Sequence, residues 1–378
     1  MEIIIFIVPF ITAFILLLFY RKETVWWEYL VLLLPSILLY FFTKAIIVEM
    51  SSSATEYLGT YAVKVSHYDE WDEWIERTCS RQVYIGRDSK GNARYRTEYY
   101  DCSYRDVHPE YWEMTDKDGN SFTISKDEYN KVAKLWNTEE RFKDMHRDYY
   151  IIDGDMQYYE WGGEKTTMRS ITYPHTYKNK VKASKSIFNF RNVSKEEAVT
   201  LALFDYPKVG RYYSQNPIIG CKNATDKEIN SFKYLNGYYG EKYQITSFVL
   251  CFYNRDISVS EEQRNYWVGG NKNEFVICIG LDSLSNKIQW SNCFSWMDEP
   301  KLEVATEQFL ANEDTLDLMS LSSFLEKKIP TDWKRKEFED FDYINIQLST
   351  GQYIGILILI LLYNIGISIF IIRNDFKN

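Results

Sequence analysis

Three stretches of the chain lose their polar positions almost entirely, and between the second and the third lie about 300 residues in which apolar and polar positions interleave. The first stretch runs from Ile3 to Tyr20, the second from Trp27 to Val48 and the third from Ile354 to Ile372. About 20 apolar residues span the hydrocarbon of a bilayer, so the pattern predicts three transmembrane helices. Trp26, Trp27 and Tyr40 sit near the ends of the second stretch, where aromatic side chains settle at headgroup level, and Lys44 is placed to snorkel. The start Met-Glu carries no basic segment, and no small-residue cleavage site precedes Arg21, which predicts a retained span in place of a signal peptide. Arg21 to Thr24 makes the turn between the first two helices. Placing Arg21, Lys22, Arg373 and Lys377 in the cytoplasm puts the N-terminus and the large middle region outside.

The interleaved middle predicts an α+β fold: a mixed α/β extracytoplasmic domain with β-hairpins and a βαβ unit, anchored by three transmembrane helices. Four regions follow. Residues 1–48 are a transmembrane helical hairpin (3–20 and 27–48), 49–180 a hairpin-rich region, 181–350 an α/β domain, and 351–378 the last span and a short tail. A Ser-rich linker, Met50 to Ala54, leads to a strand over Tyr57 to Ser66. Tyr68, Trp71, Ile75 and Thr78 fall on one helical face with acids on the other, which predicts an amphipathic helix from His67 to Thr78. Hairpins are predicted from Arg77 to Tyr104, from Glu113 to Ser125 around Asp118-Gly119, and between Tyr149–Ile152 and Met156–Trp161 around Asp153-Gly154-Asp155. A capping pattern, Ser125-x-x-Glu128, opens a helix through Trp136, and the basic run Lys178 to Lys185 predicts a linker.

The second half is better punctuated. Ser194-x-x-Glu197 and Thr225-x-x-Glu228 open helices. Strand Ser247 to Asn254, a helix from Ser260 ending at Gly269-Gly270, and strand Phe275 to Leu281 predict a right-handed crossover with parallel strands. Ile288 to Trp296 adds a hairpin, and helices near Leu302 to Leu310 and Leu316 to Leu325 cover the sheet.

The cysteines bear on the compartment. A turn centred between Lys90 and Gly91 sets Cys79 and Cys102 directly opposite each other, which predicts a disulfide and so an oxidising environment. Cys278 and Cys293 flank a second turn in the same symmetrical way and are a candidate second bridge; their strands also read as core, where free cysteine serves as a small hydrophobe. Six cysteines allow fifteen pairings, and Cys221 and Cys251 are left open.

The middle region carries a net charge of about −10 against +1 in the flanking segments and repels phosphate backbones, which excludes nucleic acid as a partner. The acids of 69–76 read as a solvated helix face. Asp116 to Asn120 with Asp127 resembles a calcium loop, but the glycine stands fourth in place of sixth, and the segment reads as a turn. His67, His108, His146 and His175 lie at no metal-ligand spacing. Tyrosine pairs such as Tyr99-Tyr100, Tyr158-Tyr159 and Tyr238-Tyr239 are strand residues where buried, and where exposed a surface suited to protein or glycan contact.

Trp267-Val268-Gly269-Gly270, then Asn273, the apolar strand Phe275 to Ile279 and Lys287-Ile288 resemble the core of the TPM domain family, over residues 245–296 of this chain. The resemblance implies an extracytoplasmic α/β module tethered by membrane helices. Some members of that family are phosphatases, which implies a metal-assisted hydrolase, with Asp256 and Asp282 as candidate ligands of a divalent cation. Both acids follow parallel strands, where open α/β sheets place ligands. The sequence carries no phosphate-binding glycine loop, no Gly-x-Ser-x-Gly and no His-Glu-x-x-His. The first expectation is therefore a membrane-anchored binding or structural module, with no cofactor, that contacts an envelope protein or glycan; the hydrolase is the alternative.

Overall fold

A computed structural model describes residues 2–22, 24–145, 153–184, 190–208 and 216–374. Helices α1 (Glu2–Phe19) and α2 (Trp26–Ser52) form an antiparallel pair. Phe6 meets Tyr40 edge-on at 4.8 Å. The last helix, α11 (Thr350–Asn374), packs against both, with Ile356 and Ile360 buried beside Ile5 and Tyr40. Polar contacts join α11 to α2, where Asn364 Nδ2 donates to Ser36 Oγ at 3.0 Å and the Tyr363 hydroxyl donates to Val31 O at 2.8 Å. Among the described residues, α2 and α11 are long and apolar enough to cross a membrane, and the apolar part of α1, Ile3–Phe19, is shorter. At 1.5 Å per residue that part reaches about 26 Å, short of the roughly 30 Å of bilayer hydrocarbon. Two such helices stand where three were expected.

The expected linker Met50 to Ala54 is absent. Helix α2 continues to Ser52, and β1 (Ser53–Tyr68) begins at the next residue. The junction is held by hydrogen bonds: Ser52 Oγ donates to Val48 O at 2.7 Å, and Asn179 N donates to Ser52 O at 2.6 Å. These satisfy carbonyls that a helix end otherwise leaves open.

After β1 the chain leaves the sheet as a two-part ribbon, which we call the arm. It comprises β2 (Trp71–Ile75), β3 (Thr78–Arg87), β4 (Ala93–Asp101) and β5 (Tyr104–His108), with β2 paired to β5 and β3 to β4. The helix expected over His67 to Thr78 is thus the end of β1 followed by β2. Its aromatic residues pair across strands instead: Trp71 lies opposite His108 with the rings stacked at 4.1 Å. Partners more than 30 residues away in sequence overrode the local helical spacing.

The chain returns through β6 (Tyr111–Asp116) and β7 (Ser121–Ile124), a hairpin on the second half of β1. Asp116 Oδ1 accepts from the backbone N–H of Asp118 and Asn120, both at 2.9 Å, which makes the Asp116–Asn120 segment a self-bonded turn. Helix α3 (Lys126–Trp136) starts where Ser125 Oγ accepts from Glu128 N and ends at Asn137, whose φ is 49°. It buries Tyr129, Val132 and Trp136 against Val65, Met114 and Ile171. Strands β8 (Arg141–Lys143) and β9 (Met156–Glu160) pair with each other, and β9 with β1. The strand expected over Tyr149 to Ile152 lies outside the described residues, as does His146.

Strand β10 (Ser170–Lys178) runs antiparallel to the first half of β1. The basic segment after it, expected as a linker, opens with helix α4 (Lys180–Ala183). Asn179 caps that helix, and Val181 is buried beside Phe338 and Phe341.

The second sheet has the order β11 (Ile218–Ile219), β12 (Thr246–Tyr253), β13 (Glu274–Leu281), β14 (Ile288–Ser295), parallel except for β14. Its near-continuous apolar strands are explained by cover on both faces. On one face Phe275, Ile277 and Ile279 meet helices α6 (Asp226–Tyr234), α9 (Lys301–Ala311) and α10 (Leu318–Asp332) through Phe232, Leu302 and Leu325. On the other, Phe248, Leu250 and Val276 meet Val259 and Trp267 from the crossover helix α8 (Ser258–Tyr266) and the turn after it. Helix α5 (Lys195–Leu201) ends well before Pro207.

The two sheets touch where Gly59 of β1 meets the π-helical turn Leu235–Tyr239, which joins α6 to α7 (Gly240–Tyr243). A Cβ at position 59 would lie 1.8 Å from the Asn236 carbonyl oxygen, so only glycine admits this backbone-on-backbone approach.

Candidate functional site

The start of β1, helix α4 and the N-terminal edge of the second sheet enclose an open groove of about 680 Å³. Thr55 and Tyr57 line it from β1, Lys182 from α4, and Trp267 and Asn271 from the turn after α8. Tyr206 and Lys208 come from the segment after α5. That segment is pinned by three hydrogen bonds. Gln263 exchanges two with the Phe204 backbone, at 2.8 and 3.0 Å, and Trp267 Nε1 donates to Phe204 O at 2.8 Å. Tyr206 then stands edge-on to the Trp267 ring at 5.2 Å.

Behind the Tyr206 hydroxyl lies Glu274, the first residue of β13, only 4 % exposed. Its carboxylate accepts from Asn271 N at 2.9 Å, from Asn271 Nδ2 at 3.1 Å and from the Tyr206 hydroxyl. Burial pushes the Glu274 carboxyl above its ordinary value, while these donors and the Lys182 charge pull it back. Tyr206 is raised as well, by burial and then by the Glu274 charge. Glu274 also borders an inner cavity of about 40 Å³, with Ser170, Thr172, Lys233 and Asn236 in its wall. Burial, followed by the nearby Arg169 charge, lowers Lys233.

A second polar centre lies on the neighbouring position of β1. Glu56 is fully buried, and its carboxylate accepts from Arg335 Nη1 at 3.1 and 3.2 Å. His175 Nδ1 stands at 2.8 Å and Lys272 Nζ at 4.0 Å. Lys272 also lies over the Tyr177 ring at 4.8 Å. The carboxylate gathers partners from β10, the turn before β13 and the segment after α10, so it acts as a structural node.

Asp256 and Asp282 follow the C-terminal ends of β12 and β13, at the opposite end of the sheet from the groove. Each carboxylate is bonded within its own turn: Asp256 accepts from Ser258 N at 2.9 Å, and Asp282 from Leu284 N at 3.0 Å and Ser285 N at 2.7 Å. Both carboxyls are held below their ordinary value by these local donors, whereas two acids sharing one cleft would raise one of the pair. The described residues hold one grouping of three with metal-ligand geometry, Glu73, Asp106 and His108 on the arm, whose ligand atoms lie within 4.8 Å of one another. Glu73 and Asp106 are direct cross-strand partners, and His108 Nε2 stands 3.2 Å from Glu73 Oε1, which is an ordinary ion-pair cluster on a ribbon.

Cys79 and Cys102 are joined by a disulfide, with Cα atoms 5.7 Å apart. The strand register differs from the expected one: Cys79 lies opposite Tyr100, because the loop is centred on Lys90 and the pairing shifts between Tyr84 and Gly86, whose φ is 123°. Cys278 and Cys293, the candidate second bridge, are both free and buried. The register sets Cys278 opposite Asn292 and Ile277 opposite Cys293, so the two sulfurs face opposite sides of the sheet. The second bridge instead links Cys221 to Cys251. Two disulfides fit an extracytoplasmic domain.

The arm presents the other candidate surface. Trp74, Tyr84, Ile85, Tyr95, Tyr99 and Tyr100 are all exposed, Tyr99 to 75 %. Toward the ribbon's tip Arg87, Lys90 and Arg94 stand against the single acid Asp88, a small basic patch on an acidic chain, while Arg81 and Arg96 share the Glu98 carboxylate.

Sequence reasoning missed the groove, whose residues are scattered from position 53 to position 271. One signal was present: Glu274 is an acid opening an otherwise unbroken apolar strand. No protein-family model, curated protein or solved structure matches this chain.

Proposed function

We propose that this protein is a membrane-anchored module of the cell envelope, held by α2 and α11, that binds an envelope partner through its arm. The carrying observation is the arm's composition. Exposed Tyr and Trp beside arginine are the residues that dominate interaction sites, and the arm carries them on both faces of its ribbon. The basic patch fits an acidic partner surface. The two disulfides support an outside position, and the apolar lengths of α2 and α11 support anchoring.

The hydrolase alternative needs converging carboxylates, and Asp256 and Asp282 each turn into their own loop. The binding module is the reading the geometry favours.

A photo-reactive residue placed at Tyr99 in the full chain, in its native membrane, tests the reading. One discrete adduct that disappears with Arg94→Glu and Arg96→Glu is expected, while the same probe at Val199, exposed elsewhere, gives none. Identical labelling from both positions would refute the arm as the recognition element. Orientation is read from single cysteines, since two native ones are buried and four are bridged. Leu284→Cys, at a fully exposed turn, labels with an impermeant reagent in intact cells and Arg21→Cys does not; the reverse result overturns the outside domain.

A further inference from the structure

We infer that the groove beside the end of α2 binds the headgroup of an anionic phospholipid. The inference rests on the membrane-anchored reading above and adds a ligand to it. Position is the first observation. The apolar stretch of α2 ends at Val48, and the groove opens at Ser53, five residues on. Five helical residues rise about 7.5 Å, and the headgroup layer adds roughly 5 to 7 Å to each side of the hydrocarbon. The groove therefore opens at the level of the headgroups.

Charge is the second observation. Lys178 pairs with Glu49 and Lys180 with Asp342, but Lys182 and Lys208 have no carboxylate within salt-bridge distance among the described residues. Two ammonium groups outside any ion pair among the described residues line the same groove and make a site for a phosphate diester. The walls agree with this, because Tyr57 and Tyr206 supply aromatic surface of the kind that settles between headgroup and acyl chain, with the buried Trp267 ring behind Tyr206. Glu274 gives the floor its shape: its carboxyl oxygens accept hydrogen bonds from Tyr206 and Asn271 and hold both in place from below.

The test uses the full chain, reconstituted in nanodiscs of phosphatidylcholine with or without phosphatidylglycerol, with retained lipid counted by native mass spectrometry. Wild type is expected to keep one phosphatidylglycerol in preference to phosphatidylcholine. Lys182→Ala and Lys208→Ala each weaken retention roughly five-fold, the usual share of one lysine at an anionic surface, and the double variant loses the preference. Lys195→Glu with Lys227→Glu alters twice the charge on exposed positions elsewhere and leaves retention unchanged. Equal loss in both pairs, or no preference in wild type, overturns the proposal. Displacement of the lipid by inorganic phosphate alone assigns the groove to a free anion and overturns it too. A chain that stays in solution without detergent or lipid instead defeats the membrane anchor, and that outcome is distinguishable because it precedes any lipid count.

Discussion

The arm and the second sheet are both built of paired strands, yet they keep their shape by different means. Every residue of β13 is buried, between helices on one face and α8 on the other. In β3 and β4 every residue is exposed or half-exposed, and the strands pack chiefly on each other. An isolated two-stranded ribbon is marginal in water. The arm is held by its ladder, by cross-strand pairs such as Arg81 with Glu98 and Tyr84 with Tyr95, and by the Cys79–Cys102 bridge. The second sheet spends its apolar side chains on stability; the arm leaves its own on the surface, available to a partner.

The sharpest test of this contrast is Phe275→Ala, which empties a fully buried position and should cost about 3 to 5 kcal/mol in denaturant unfolding of the detergent-solubilised chain. Glu56→Ala should follow closely at about 3 to 4 kcal/mol, since it leaves Arg335 and Lys272 as buried charges without their counterion; Arg335→Met together with Glu56→Met should recover part of the loss. Cys79→Ser and Cys102→Ser each remove the same bridge, worth about 3 kcal/mol in the chain-entropy model, and the double variant should cost no more than either single one. Hydrogen exchange locates that loss: residues 78–101 should open while β12 and β13 stay protected. Loss of protection in both would mean that the arm and the sheet fold as one unit.

Smaller effects sharpen the comparison. Glu274 has a raised carboxyl in the folded protein, so the unfolded chain gives up its proton first as pH rises. Stability should therefore fall as pH climbs from the ordinary glutamate range, about 4.5, toward the folded value, and level off above it. Glu274→Gln should remove that slope, as read by melting temperature against pH; an unchanged slope would assign it to another group. At the bottom of the scale, Tyr99→Ala should move stability by no more than about 0.5 kcal/mol. A large effect there would make the arm's aromatics structural and take away the reason to call them a binding surface.

What the sequence made legible is what lies close along the chain. Caps at Ser125, Ser194 and Thr225, the hairpin at Asp118-Gly119 and the β12–α8–β13 crossover all complete themselves within a few dozen residues. The errors share the opposite property. The spacing of Tyr68, Trp71, Ile75 and Thr78 fits a helix, and only β5, some 30 residues on, makes Trp71 to Ile75 a strand. A loop centred on Lys90 and a further shift at Gly86 moved the arm's register, and a one-residue offset sent Cys278 and Cys293 to opposite faces. The groove was illegible because Tyr57, Lys182, Tyr206 and Trp267 meet only once both sheets are assembled.

Strand β1 carries a mechanical consequence. It starts one residue after α2 ends, and its sixteen residues reach at most about 53 Å, pinned along their length by β10, β6 and β9. No swivel lies between the apolar helix α2 and the root of the arm. In the anchored state β1 is a ruler that fixes how far from the bilayer the arm meets its target. It is also a lever: a pull on the arm's tip would tilt α2 in the membrane instead of being lost in a slack tether.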